Sequence, residues 1–133
     1  MFDLCPCHSG KTLASCCLPF IEGKVLPSSA LELMRSRFAA FALGRAEYIM
    51  QTTHQQNRQY QKNRAKWKKE IETFSITMDF VGLIIHAHEQ TGDRARVEFT
   101  AQLVSSEGVD CSFRETSQFV QEDGRWLYLE GQT

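Results

Sequence analysis

The sequence predicts an α+β fold in which helices come first and an antiparallel meander follows. Apolar residues recur at helical spacing from Leu31 to Phe74, and the period changes to two from Ser75 onward. Turn signals punctuate that second half at Thr91-Gly92-Asp93, Glu107-Gly108 and Asp123-Gly124. This order places a layer of helices on one face of a curved sheet. A third observation concerns the front of the chain. Four of the five cysteines, Cys5, Cys7, Cys16 and Cys17, fall within the first 17 residues and mark a small appendage ahead of the main domain.

Residues 1–22 read as that cysteine-rich knuckle, and Glu22 to Pro27 as a short linker. The main domain is expected over residues 28–133. Ser28 or Ser29 caps the first long helix, with Glu32 three residues after Ser29 as in a capping box. Leu31, Met34, Phe38, Phe41 and Ala42 form its predicted buried stripe, with Arg35 and Arg37 off or beside it. Gly44 is the stop signal. A short second helix is expected from Ala46 to about Thr53, burying Tyr48, Ile49 and Thr52. Residues 54–63, rich in Gln and Asn, read as a loop or a weak helix end. A third helix runs from about Asn63 to Thr73, with Trp67, Ile71 and Phe74 as its contacts.

The first strand is expected to carry Ile76, Met78 and Phe80 on one face, with a bulge at Gly82. Val97, Phe99, Ala101 and Leu103 share a face of the second. Val109, Cys111, Phe113 and Phe119 share a parity along a long third strand. Asp123-Gly124 closes a hairpin with Trp126 to Leu129 as the last strand.

Composition narrows the class. In 133 residues, 42% are hydrophobic and 23% charged, which is ordinary for a packed domain and unlike a disordered chain. No apolar run approaches the ~20 residues of a membrane helix, so no membrane association is expected. The start, Met1-Phe2-Asp3-Leu4-Cys5, lacks a basic stretch followed by an apolar one. A cytoplasmic setting is therefore expected, where clustered cysteines point to metal rather than disulfides. The net charge of −1 hides an uneven split. Residues 1–70 carry 11 Lys and Arg against 5 Asp and Glu; residues 71–133 carry 4 against 11.

The spacing Cys5-x-Cys7-x8-Cys16-Cys17 supplies four thiolates in 13 residues. Zinc takes four tetrahedral ligands, and soft thiolates suit it. Cys5, Cys7, Cys16 and Cys17 are the expected ligands, with His8 as an alternative to one sulfur. Adjacent cysteines such as Cys16 and Cys17 make only a strained disulfide ring. A closed four-cysteine site leaves no open coordination position, so the expected role is structural rather than catalytic.

The run Cys5-Pro6-Cys7-His8-Ser9-Gly10-Lys11, closed by Cys16-Cys17, resembles the SEC-C motif, the zinc knuckle also found at the tail of the SecA translocation ATPase. Leu33-Met34-Arg35-Ser36-Arg37-Phe38, Thr53-His54, Phe80-Val81-Gly82-Leu83 and Phe119-Val120 through Tyr128 resemble the YchJ-like family of SEC-C proteins over nearly the whole chain. The resemblance implies a nuclear transport factor 2-like (cystatin-like) cone of helices against a bent sheet. It names no activity. This chain departs from the usual pattern with His8 in place of Gly, Gln55 in place of Pro, and Phe80 in place of Trp.

Cones of this type often enclose a pocket, and Arg35, Arg37, His54, Trp67 and Glu115 are its candidate polar lining. His54 and Glu115 could serve as acid and base in an isomerase, cyclase or hydrolase. The simpler alternative is an ion pair of Arg35 or Arg37 with Glu115. The favoured expectation is an adaptor whose knuckle meets a protein partner, a ribosome or chaperone by resemblance, rather than an enzyme. Arg58, Lys62, Arg64, Lys66, Lys68 and Lys69, with Tyr60 and Trp67 between them, could also meet RNA. A homodimer through the sheet is a further expectation. His86 and His88 read as an exposed strand face, and Cys111 as a buried small hydrophobe.

Overall fold

Each helix begins and ends where local chemistry dictates. The computed structural model describes residues 3–132, so the expected domain limits at Met1 and Thr133 lie outside the described residues. In the knuckle, Leu4 bridges Thr12, and Cys5 N–H donates to the Lys11 carbonyl at 2.8 Å. A short 3-10 turn (Leu13–Ser15) and α1 (Leu18–Ile21) follow. Helix α2 spans Ala30–Leu43. Ser29 Oγ accepts from Glu32 N–H, while the Glu32 carboxylate takes the N–H and hydroxyl of Ser28, a capping box shifted by one residue. Gly44, at φ +71°, supplies the left-handed stop. Helix α3 spans Ala46–Gln51, and α4 spans Arg64–Thr77 with Asn63 as its cap.

The sheet is a four-stranded antiparallel meander in the order β1 (Met78–Thr91), β2 (Arg94–Ser105), β3 (Phe113–Glu122), β4 (Arg125–Gln132). The register slips between Phe80 and Gly82, where the bulge is expected, and again between Ile85 and Ala87. These bulges bend the strand. Asp123 and Gly124 both have positive φ, as a two-residue hairpin requires. Val97, Phe99, Ala101 and Leu103 are all buried on one face of β2. Helices α2 and α4 pack on that side.

Three sequence expectations are corrected. First, α4 continues through Ser75 and Ile76. The Ser75 and Thr77 hydroxyls bond back to the Ile71 and Thr73 carbonyls, and Ile76 is left 81% exposed. Second, β3 starts only at Phe113. Ser112 N–H bonds to Asp110 Oδ1 in a local turn that competes with strand, and Val109 lies 57% exposed. Third, α2 is buried nearly all round. Ala30, Leu33, Met34, Ser36, Arg37, Phe38, Ala39 and Ala40 are all buried, so Arg37 sits inside rather than beside the stripe.

The third correction has two causes: the cone buries Arg37, and the knuckle covers another face of the helix. Cys5, Cys7, Cys17 and Ile21 join the same core as Leu33, Phe38 and the sheet. Helix α2 therefore carries knuckle on one side and cone on the other. Among the described residues, no helix is long and apolar enough to cross a membrane.

Candidate metal centre and cone cavity

The Sγ atoms of Cys5, Cys7, Cys16 and Cys17 lie within 4.8 Å of one another. Cys7 and Cys16 are 3.6 Å apart, and Cys16 and Cys17 are 3.8 Å apart. A tetrahedron with ~2.3 Å metal–sulfur bonds has sulfur–sulfur edges of about 3.8 Å. The four thiols are therefore already arranged to hold one metal ion. None of the five cysteines is in a disulfide. Four thiols so close share charge unevenly. Hydrogen bonds from Cys17 and Cys5 hold Cys7 far below the ordinary thiol range, whereas the contacts of Cys17 with Cys5 and Cys7, and its burial, push its own thiol far up. A divalent cation would favour the thiolate in all four.

His8 is not part of this cluster. It has φ +62°, a conformation that favours glycine. Its ring nitrogen Nε2 donates to the Phe80 carbonyl at 3.1 Å, and its ring edge meets Phe38 at 6.0 Å. Sulfur is approached instead by the Ser9 hydroxyl, 3.2 Å from Cys16 Sγ. Arg35 also serves the knuckle: its Nη1 donates to the Cys7 carbonyl at 3.0 Å.

Between α2, α4 and the sheet the cone forms a half-open cavity of about 530 Å³. This lies within the usual range of small-ligand sites. Its walls are aromatic: Phe38, Phe41, Trp67, Phe74, Phe99 and Phe119, among others. Edge-to-face pairs such as Phe41–Phe74 and Phe74–Phe80 hold the rings in place.

One end of the cavity is polar. Arg37 is only 8% exposed. Its Nη1 donates to the Ile49 carbonyl (3.1 Å), Thr52 Oγ1 (2.8 Å) and Thr53 Oγ1 (3.0 Å), and its guanidinium carbon stands 4.7 Å from the centre of the Tyr128 ring. Burial pushes its pKa down to about 10, against attraction from Tyr128, Tyr48 and Glu115, so it stays cationic at neutral pH. The Glu115 carboxylate accepts from the hydroxyls of Tyr128, at 3.0 Å, and Ser117. Burial, then Glu115, raises the Tyr128 phenol.

The expected ion pair between Arg35 or Arg37 and Glu115 does not form; no such contact lies within 4.0 Å among the described residues. Of the five candidate lining residues, Arg37, Trp67 and Glu115 reach the cavity. Arg35 and His54 do not, which corrects the expectation for both. Buried His54 receives Gln56 N–H on Nδ1 and bonds through Nε2 to Glu122 at 2.9 Å. It pins the loop to the hairpin and does not meet Glu115.

Thr53, Ser117, Tyr128 and Gly131 belong to the polar end and were not among the sequence candidates. A strand signal could have found Ser117, because Phe113, Glu115, Ser117 and Phe119 alternate along one face. Gly131 pairs with Ser117, and a Cβ there would strike the Glu115 carboxylate and the Tyr128 hydroxyl. Gly131→Ala is expected to destabilise the fold by about 1–3 kcal/mol through overpacking. Thermal unfolding measures this; a neutral effect would show that the Glu115 pocket is slack.

The six basic residues from Arg58 to Lys69 are exposed. Trp67 is buried in the cavity wall, with Tyr60 packed against it at 5.1 Å. Trp67 therefore offers no free face for base stacking. His86 and His88 are exposed, and His86 bonds to Thr100 Oγ1. Cys111 is half-buried against the core.

Comparison with known proteins places these features. The SEC-C motif matches residues 3–19, and the family described as "YchJ, middle NTF2-like domain" matches residues 29–131. A UPF0225 protein of Deinococcus radiodurans is 40% identical over 97% of this chain and 88% of its own length. The solution structure of a SEC-C motif containing protein from Rhodopseudomonas palustris has a TM-score of 0.82 and 33% identity, covering 100% of this chain and 98% of that one. The crystal structure of a SEC-C motif containing protein from Psychrobacter arcticus has a TM-score of 0.76 and 28% identity, covering 94% and 79%.

Proposed function

This chain belongs to the YchJ family, a SEC-C motif followed by an NTF2-like domain, and from that premise we propose that it is a zinc-braced small-molecule-binding protein of a reducing compartment. One observation carries the reading: a cavity of about 530 Å³, walled by aromatic rings, ends in a buried guanidinium. The recess opens to solvent on one side, and its aromatic lining is apolar surface that a ligand would remove from water.

Zinc is the metal that suits four thiolates at tetrahedral separations, and it would act structurally there. The knuckle braces the cavity wall directly. His8 holds the Phe80 carbonyl and touches Phe38, and both Phe38 and Phe80 line the cavity. The polar end positions a ligand; the structure brings no acid/base pair of His54 and Glu115 to the cavity.

A neutral apolar fluorophore, N-phenyl-1-naphthylamine, tests the reading. Titration of the metal-loaded chain is expected to give saturable fluorescence enhancement at one site. Ala101→Phe fills the cavity from β2 and is expected to abolish it while the protein retains a cooperative melt. No enhancement with the wild type, or equal enhancement with Ala101→Phe, sinks the proposal.

A further inference from the structure

Arg37 has five N–H donors, and the protein uses those of only one nitrogen. Nη1 is saturated by the Ile49 carbonyl and the Thr52 and Thr53 hydroxyls. Those hydroxyls are locked in turn: Thr52 donates to the Tyr48 carbonyl and Thr53 to the Ile49 carbonyl, both at 2.7 Å. Their lone pairs are thus aimed at Nη1. The guanidinium carbon stands over the Tyr128 ring, 4.7 Å from its centre. The remaining edge, Nε–H with Nη2–H, has no hydrogen-bond partner among the described residues, although Arg37 is more than nine-tenths buried and faces the cavity.

That edge presents two parallel N–H groups, the fork that matches the two oxygens of a carboxylate. The carboxylate within the cavity does not supply the match. Glu115 makes no ion pair with Arg37 and is held by Tyr128 and Ser117. Glu70, at the cavity rim, is engaged by Gln61 at 2.6 Å. Buried charges are normally paired in direct contact, and Glu115, which attracts Arg37 only at a distance, leaves this fork open.

We propose that the cavity binds a small aromatic acid, with its carboxylate seated bidentately on the Nε/Nη2 edge of Arg37 and its ring body among Trp67, Phe99 and Phe119. This rests on the ligand-site reading above and specifies the ligand's chemistry. The aromatic walls match a flat ring edge-to-face, and the Tyr128 and Ser117 hydroxyls hold the Glu115 carboxylate off the Arg37 fork.

Two isosteric probes test it on the full metal-loaded chain: 2-naphthoate and 2-naphthamide, titrated by calorimetry. The acid is expected to bind about tenfold to a hundredfold more tightly than the amide. Arg37→Lys keeps the charge but not the fork, and is expected to lose most of that preference. Glu115→Gln removes a like charge from the cavity and is expected to tighten acid binding. Equal affinity for the two probes in the wild type overturns the inference without any variant having to fold. Loss of acid binding in Glu115→Gln also overturns it, because Glu115 would then be the recognising group. If N-phenyl-1-naphthylamine binds but 2-naphthoate does not, the inference fails and the ligand-site reading stands. If none of the three binds, both fail.

Discussion

Stripping the metal with a chelator is expected to cost about 3–5 kcal/mol of stability and to lower the melting temperature by about 10–20 °C. The size follows from burial. Cys7 and Cys17 are 0% and 1% exposed and belong to the core that contains Leu33 and Phe38. Without a cation, only part of the thiol cluster can ionise, and the turn that presents it loses its chief restraint. Residues 3–21 should then loosen from α2, taking the Arg35 and His8 contacts with them. Cys17→Ser should reproduce the loss, and Cys111→Ser should not. Thiol titration offers an independent check. The metal-loaded chain should show at most Cys111, and the stripped chain all five. A melting temperature indifferent to chelator would mean that the knuckle is held by packing alone.

The second large effect has the opposite sign. Arg37→Met is expected to stabilise the ligand-free protein by about 1–3 kcal/mol while abolishing acid binding. Burial pulls the guanidinium pKa down to about 10, which corresponds to about 3 kcal/mol against the charged form. Its partners do not need it. Thr52 and Thr53 keep their own bonds to Tyr48 and Ile49, so its removal orphans no donor. Stacking on Tyr128 offsets some of the gain, by about 0.5–2 kcal/mol. Methionine fills much of the same volume without charge. Chemical denaturation measures the difference; a clear loss of stability would make Arg37 a structural residue.

The knuckle was the most legible part of the chain because its chemistry is local. Four ligands in 13 residues declare themselves by spacing, and the folded cluster follows from short turns. The β2 face was equally legible, since period-two alternation reports burial directly. Arg37 was harder to place. Its burial comes from partners that helical spacing does not report: the Ile49 carbonyl, Thr52, Thr53 and Tyr128. The start of β3 was lost to the Asp110–Ser112 turn, a side-chain bond that no alternation reveals. The pairing of His54 with Glu122, 68 residues apart, depends on how the loop meets the hairpin. The polar end is assembled from α2, the Thr52–Thr53 segment, β3 and β4. Contacts between residues far apart in sequence join those pieces: Arg37 to Thr52 and Thr53, the Thr52–His54 backbone to Tyr128, and Tyr128 to Glu115.

NMR contacts between a bound probe and the protein report whether the cone holds a ligand. With N-phenyl-1-naphthylamine on the metal-loaded chain, intermolecular contacts to the ring protons of Trp67, Phe99 and Phe119 are expected. Contacts confined to exposed apolar residues such as Ile84 and Val109, or none at all, would contradict a ligand-holding cone.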